Sequence, residues 1–179
     1  LTRTLNDAST DKAEANYYLG AIALNQGDKA AAESYFNAGI AANPANAFNY
    51  VGKGELALKA GNEKVADDFF KKARDYGKKD AELLTEIARA YYNADPVKYA
   101  EDITKSIERA KKANKKDPYN LIFQGDVKAD EKAAGEAAAL YENAILFDPE
   151  NTPAYVKYAN VYFSVSPEFA IKKLEELLE

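Results

Sequence analysis

Apolar and small positions recur along this chain at a fixed spacing. A stretch from Asn16 to Pro44 and a stretch from Asn49 to Gly77 carry the same order of apolar runs and polar breaks. Placing Leu19-Gly20 over Lys53-Gly54 is a shift of 34 residues, and it brings Gly27 onto Gly61, Ala32 onto Ala66, Phe36 onto Phe70 and Gly39 onto Ala73. Four small or aromatic matches at one shift exceed what composition produces. The period continues through a unit from Ala81 (Ile87-Ala88, Tyr91, Ala100), one from Pro118 (Gly125, Ala137, Tyr141, Ala144, Pro149) and one from Thr152 (Tyr155, Tyr158-Ala159, Tyr162, Ala170, Leu174).

Each unit predicts two helices. Asp95-Pro96 and Ser166-Pro167 give an N-cap followed by Pro at the first helical position, opening second helices, and Asp28 fits the same role. Asp117-Pro118 and Thr152-Pro153 open first helices in the same way, and Asp11 with Glu14 resembles a capping box. Gly27 and Gly61 stand where the first helix stops and the chain reverses. No Gly or Pro lies between Pro96 and Lys116, so that second helix is expected to run on for roughly 20 residues, ~30 Å long, and to overhang its neighbours.

The small residues have a packing reason. Gly20, Gly54, Ala88, Gly125 and Ala159 share one position of the first helix, and Ala32, Ala66, Ala100, Ala137 and Ala170 share one of the second. Where two helices cross closely, anything larger than methyl holds the axes apart. Phe36, Phe70, Tyr141 and Leu174 then fill the space one turn later, with Thr104 in the corresponding place of the third unit. A unit this short cannot bury its apolar stripe alone, so the units stack.

This pattern resembles the tetratricopeptide repeat family over residues 12–179. The expected fold is all-α, a right-handed α-solenoid of stacked helical hairpins. The expected arrangement is a single repeat domain over 1–179: a tail of a preceding helix at 1–11, then repeats at about 12–46, 47–80, 81–117, 118–151 and 152–179. Asn16, Lys53 and Thr104 depart from the residues usual in the family at their positions. Both ends look like cuts through a longer solenoid.

Composition narrows the chemistry. The 179 residues are 47% hydrophobic and include 34 alanines, which favours a packed helical domain over disorder. There is no Cys, which excludes disulfides and thiolate sites, and no His, the commonest general base and metal ligand. Lack of Cys suits either a reducing cytosol or an exported bacterial protein. No cofactor and no metal are expected, and no apolar run approaches the ~18 residues of a membrane span. Net charge is −5, and residues 121–179 alone carry five basic and eleven acidic side chains. That balance disfavours nucleic acid, whose binding depends on phosphate neutralisation.

Asp126 and Asp130, four residues apart, could share a helix face, with Glu131 adjacent, but a solvated acidic helix end is the favoured account of them. An enzyme is therefore the disfavoured class. Lys78-Lys79, Lys111-Lys112 and Lys115-Lys116 end second helices, where they complement the helix dipole or offer an acidic partner a docking patch. Tyrosine is more informative: nine of thirteen fall on first helices. The resemblance implies that first helices line a concave groove that holds a protein or peptide partner. It places Tyr17, Phe48, Glu55, Arg89, Tyr92, Tyr119, Asn160 and Phe163 there as partner-binding residues, along with Glu14, Ala21, Val51, Thr85, Ile122, Asp126 and Val156. Packing between adjacent first helices is the alternative role for any one tyrosine. Repeats of this family that clamp the terminal carboxylates of heat-shock chaperones use Lys, Asn and Arg where this chain has Tyr17, Ala21, Gly52, Glu82 and Glu86. That clamp is absent. The expected function is thus a non-catalytic protein-interaction scaffold, with self-association through the solenoid ends, led by Leu174, Leu177 and Leu178, as the alternative.

Overall fold

The computed structural model describes residues 11–163 and 166–176. Among the described residues there are ten helices and no strand: α1 (Lys12–Asn25), α2 (Lys29–Ala42), α3 (Ala47–Lys59), α4 (Glu63–Tyr76), α5 (Ala81–Ala94), α6 (Ala100–Ala113), α7 (Pro118–Asp130), α8 (Ala134–Phe147), α9 (Thr152–Phe163) and α10 (Pro167–Glu175). The chain divides into two compact units, Leu1–Arg109 and Ala110–Glu179. Residues 1–10, Leu177 and Leu178 lie outside the described residues.

In the first unit α1 pairs with α2 and α3 with α4, and α3 also packs against α1 and α5. In the second unit α7 pairs with α8 and α9 with α10, and α8 packs on α9. The hairpins close where the sequence places their small residues. A methyl at Gly20 would lie 2.4 Å from the Phe36 ring, at Gly54 2.3 Å from Phe70, and at Gly125 2.4 Å from Tyr141. Each of these rings is buried, as are Ala32, Ala66 and Ala137 one turn before them. Gly52 of α3 approaches Phe36 from the following hairpin, at 2.3 Å for an added methyl. Phe36 is therefore gripped between two backbones, and burying such a ring contributes on the order of 1.5–3 kcal/mol.

Turn chemistry repeats with the same period. Gly27 (φ +83°) and Gly61 (φ +78°) end α1 and α3 in the left-handed conformation. In α1, Asp28 N–H donates to the Ala23 carbonyl and Gly27 N–H to that of Leu24, which satisfies two orphan acceptors of the helix end. Lys132 (φ +64°) makes the same turn after α7 without a glycine. Between hairpins a four-residue turn recurs at Asn43–Asn46, Gly77–Asp80, Asn114–Asp117 and Asp148–Asn151, each closed by a backbone bond from fourth residue to first. Asn43, Asn114 and Asp148 also accept the N–H two residues on.

Asp11, Asp28, Asp117 and Ser166 cap α1, α2, α7 and α10 as expected. Four expectations need correction. Thr152 does not cap α9: Asn151 does, accepting from Ala154 N–H at 3.2 Å, and Thr152 is already helical. The helix after Pro96 is not about 20 residues long, because residues 96–99 form a turn held by Asp95, whose carboxylate accepts from Val97 and Lys98 N–H. The regular part of α6 spans 14 residues, the same as α5, so no overhang results. The register of α6 is also one residue earlier than the period implies. Tyr99, Ile103, Ser106 and Ala110 are buried, whereas Ala100 and Thr104 are exposed. Leu174, assigned to the core by the repeat, is 39% exposed at the end of α10.

Candidate functional site

In the first unit the side-by-side helices α1, α3 and α5 carry five of the eight expected site residues: Tyr17, Phe48, Glu55, Arg89 and Tyr92. Tyr17 and Phe48 meet, with ring centroids 5.4 Å apart, and the Tyr18 ring also lies 5.4 Å from that of Tyr17. The Tyr17 hydroxyl donates to Glu86 Oε2 at 3.0 Å, linking α1 to α5 across the width of α3. Glu86 Oε1 in turn accepts from Arg89 Nε at 3.0 Å, one turn along the same helix. Glu55 accepts from Asn93 Nδ2 at 3.2 Å and lies 3.6 Å from Lys59 Nζ, which donates to the Asn93 carbonyl at 2.9 Å. Tyr92 is half-buried on α5.

Burial pushes the Tyr17 hydroxyl well above its ordinary pKa, and the neighbouring Glu86 charge adds to the effect. Burial also raises the Glu55 carboxyl; Lys59 and Asn93 oppose the shift, and the like charge of Glu86 adds to it. At one end of this face a cleft of roughly 230 Å³ is lined by Asp11, Glu14, Tyr17, Tyr18, Asn46, Phe48 and Glu82.

The second unit carries Tyr119 on α7 and Asn160 and Phe163 on α9. Asn160 lines a cleft with Asp126, Asp130, Tyr141 and Lys157. There Asp126 accepts from the Tyr141 hydroxyl at 2.9 Å and from Lys157 Nζ at 2.6 Å, so this carboxylate is held in a structural network. Tyr119 (47% exposed) and Phe163 (63%) project outside that cleft. Val51, Thr85 and Ile122, placed on the groove by the resemblance, are core residues instead, and the Thr85 hydroxyl is spent on the Ala81 carbonyl.

Sequence reasoning did not assign Glu86, Asn93 and Tyr18 to the site. The Glu86–Arg89 spacing was a readable signal for one shared helix face. Among the described residues no group of three or more His, Cys, Asp or Glu is placed to hold a metal ion. No helix among them is long and apolar enough to cross a membrane.

No protein-family model matches the chain, and no curated protein matches it. Solved structures do. Yeast Tom70 is similar over 98% of this chain and 37% of its own, with a TM-score of 0.62 at 19% identity. A thermophilic TPR protein of Thermus thermophilus matches over 93% of this chain and 90% of its own, with a TM-score of 0.60 at 18% identity. Cut9, solved with Hcn1 as an APC/C hetero-tetramer, matches over 99% of this chain and 35% of its own, at a TM-score of 0.56 and 15% identity. At these identities the likeness speaks to architecture: the chain has the all-α fold of the tetratricopeptide repeat proteins, built from helical hairpins of the α-solenoid class.

Proposed function

We propose that this chain is a non-catalytic protein-interaction module whose α1–α3–α5 face holds an extended segment of a protein partner. The observation that carries the reading is the convergence of Tyr17, Tyr18 and Phe48 with Glu55, Glu86 and Arg89 on one face of three adjacent helices. Rings with polar tips beside a few fixed charges are the residue types that dominate interface hot spots. Cut9, a protein of the same fold, is solved in complex with a partner. The lack of His and Cys agrees with binding rather than chemistry.

The test pairs groove variants with outer-surface variants. Tyr92→Ala and Arg89→Ala are expected to weaken capture of a protein that binds wild type, each by about 1–2 kcal/mol, with the helical circular-dichroism spectrum retained. Lys111→Ala and Lys112→Ala should alter only the salt dependence. If the lysines prove essential and the groove silent, the site moves to α6.

A second reading rests on the exposure of Phe163 (63%), Ile171 (51%) and Leu174 (39%), which could be covered by another copy of the chain. Light scattering over a range of concentrations tests it, and a strict monomer throughout rejects it.

A further inference from the structure

In three hairpins a pair of side chains bridges the first helix to the second near their shared turn. Tyr91 of α5 meets Tyr99, just before α6, with ring centroids 5.5 Å apart. Tyr162 of α9 meets Phe169 of α10 edge to face at 5.0 Å. Lys128 of α7 and Glu136 of α8 form an ion pair at 3.5 Å. In the α3–α4 hairpin the corresponding positions hold Ala57 and Val65. The counterpart of Tyr99 is Val65 by the period and Ala66 by the shifted register of α6, and neither carries a ring. Here a cleft of roughly 580 Å³ lies between α2 and α4, over α3, a volume within the ~300–1,000 Å³ range of binding pockets. Ala57, Phe69 and Val65 contribute to its apolar lining, Val65 being 46% exposed, and Lys29, Glu33 and Lys53 to its polar rim.

The filled counterpart in the next hairpin shows what fits. The Tyr91 hydroxyl donates to Asp67 Oδ1 at 3.1 Å and the Tyr99 hydroxyl to Glu63 Oε1 at 3.3 Å, while Lys98, beside Tyr99, pairs with the same Glu63 oxygen at 2.5 Å. One period earlier Glu33 stands at the position of Asp67, so the acceptor is kept, and Lys29 stands at that of Glu63, so the charge is reversed. Lys53 holds Glu33 at 2.7 Å and lies 5.6 Å from the Phe69 ring centroid. We propose that this cleft receives a tyrosine, flanked by an acidic residue, from a segment of a protein partner. The ring takes the space that Tyr91 and Tyr99 fill in the next hairpin, against Val65 and Phe69, and its hydroxyl donates to Glu33. The neighbouring carboxylate pairs with Lys29, the charges of Lys98 and Glu63 being exchanged. A basic neighbour would meet Lys29 and Lys53 as like charges, so the cleft selects against it. The α3 residues that line this cleft, Lys53 and Ala57, are not those of the α1–α3–α5 groove, Phe48 and Glu55, so the two surfaces are separate.

Three heptapeptides test the proposal by titration followed through amide chemical shifts: Ser-Gly-Asp-Tyr-Gly-Ser-Gly, and the same peptide with Asp-Ala or Lys-Tyr in place of Asp-Tyr. The Asp-Tyr peptide is expected to shift Leu56, Val65 and Phe69. It should bind about tenfold more tightly than the Asp-Ala peptide and about threefold more tightly than the Lys-Tyr peptide. Ala57→Tyr, which restores the pairing of Tyr91 with Asp67 by means of Glu33, should fill the cleft and abolish those shifts. Lys29→Glu should invert the preference between the Asp-Tyr and Lys-Tyr peptides. Lys29 is exposed in the first turn of α2, where glutamate suits the helix dipole, so folding is preserved and this variant decides the matter if Ala57→Tyr does not fold. If the Asp-Ala or Lys-Tyr peptide binds the cleft as tightly, or if either folded variant leaves Asp-Tyr binding unchanged, the proposal falls. It also falls if no peptide shifts the cleft at millimolar concentration, or if the shifts appear at Tyr17 and Phe48 in its place, which would leave the groove function standing. Sedimentation showing wild type dimeric and Ala57→Tyr monomeric would give the cleft to a second copy and overturn the proposal as well.

Discussion

Gly54→Ala is the sharpest probe of the packing. Inside an exposed helix this change stabilises by about 1 kcal/mol, because alanine loses less entropy than glycine. Here the added methyl would stand 2.3 Å from a Phe70 ring carbon. That ring is fully buried, and the Tyr91 ring lies 4.8 Å away, so it has little room to retreat. Overpacking of a well-filled core costs about 1–3 kcal/mol, and a ring hemmed in this way places the cost near the upper end. After the propensity gain, a net loss of about 2 kcal/mol remains, or roughly 4–8 °C in melting temperature for a chain of this size. Gly135→Ala is the matched control, since nothing lies within 4 Å of its added methyl; it should stabilise by about 0.5–1 kcal/mol. Thermal and urea melts followed by circular dichroism measure both. In a Phe70→Leu background, which removes the obstructing ring, the penalty of Gly54→Ala should shrink by about 1 kcal/mol or more. If Gly54→Ala melts at or above wild type, or costs the same without the ring, the close crossing of α3 and α4 is wrong.

Lys132→Gly should stabilise, by up to about 1 kcal/mol, because Lys132 occupies a left-handed turn (φ +64°) that Gly27 and Gly61 occupy in other hairpins; a lower melting temperature would contradict this. Glu55→Gln should change the pH dependence of stability. The folded state raises the Glu55 pKa, so wild type is relatively most stable where Glu55 is protonated, below its ordinary value, and loses that contribution as pH rises through the raised one. The variant should therefore gain on wild type as pH rises from the ordinary carboxyl range towards neutrality, and parallel melting curves over that rise would refute the assignment.

Much of the fold was legible because it rests on steric repetition. Gly20, Gly54 and Gly125 align in sequence because each lets an aromatic ring of the partner helix approach its backbone. The register of α6 was not legible, since two stripes compete there. Ala100 with Thr104 follows the period, whereas Tyr99 with Ile103 offers the larger apolar surface, and the latter is buried. The Tyr99 ring sits 5.5 Å from Tyr91 and its hydroxyl reaches Glu63 at 3.3 Å, contacts that Ala100 could not make. In the site, the meeting of Tyr17 and Phe48 was readable from helix faces. The Tyr17–Glu86 bond was not, because it depends on how closely α1 approaches α5, a distance that no local pattern encodes.

The same bond changes the part played by Arg89, expected among the partner-binding residues. A phenol taken out of water needs a hydrogen-bond partner, and this chain repeatedly supplies a carboxylate: Tyr17 to Glu86, Tyr91 to Asp67, Tyr99 to Glu63 and Tyr141 to Asp126. Part of the chain's acidity thus serves its tyrosines. Glu86 accepts from Tyr17 with one oxygen and from Arg89 with the other, so this arginine is occupied within the face. Its charge is compensated at about the distance where the pair attraction is strongest. Arg89 therefore acts on this face by holding Glu86, and through it the Tyr17 hydroxyl, in place.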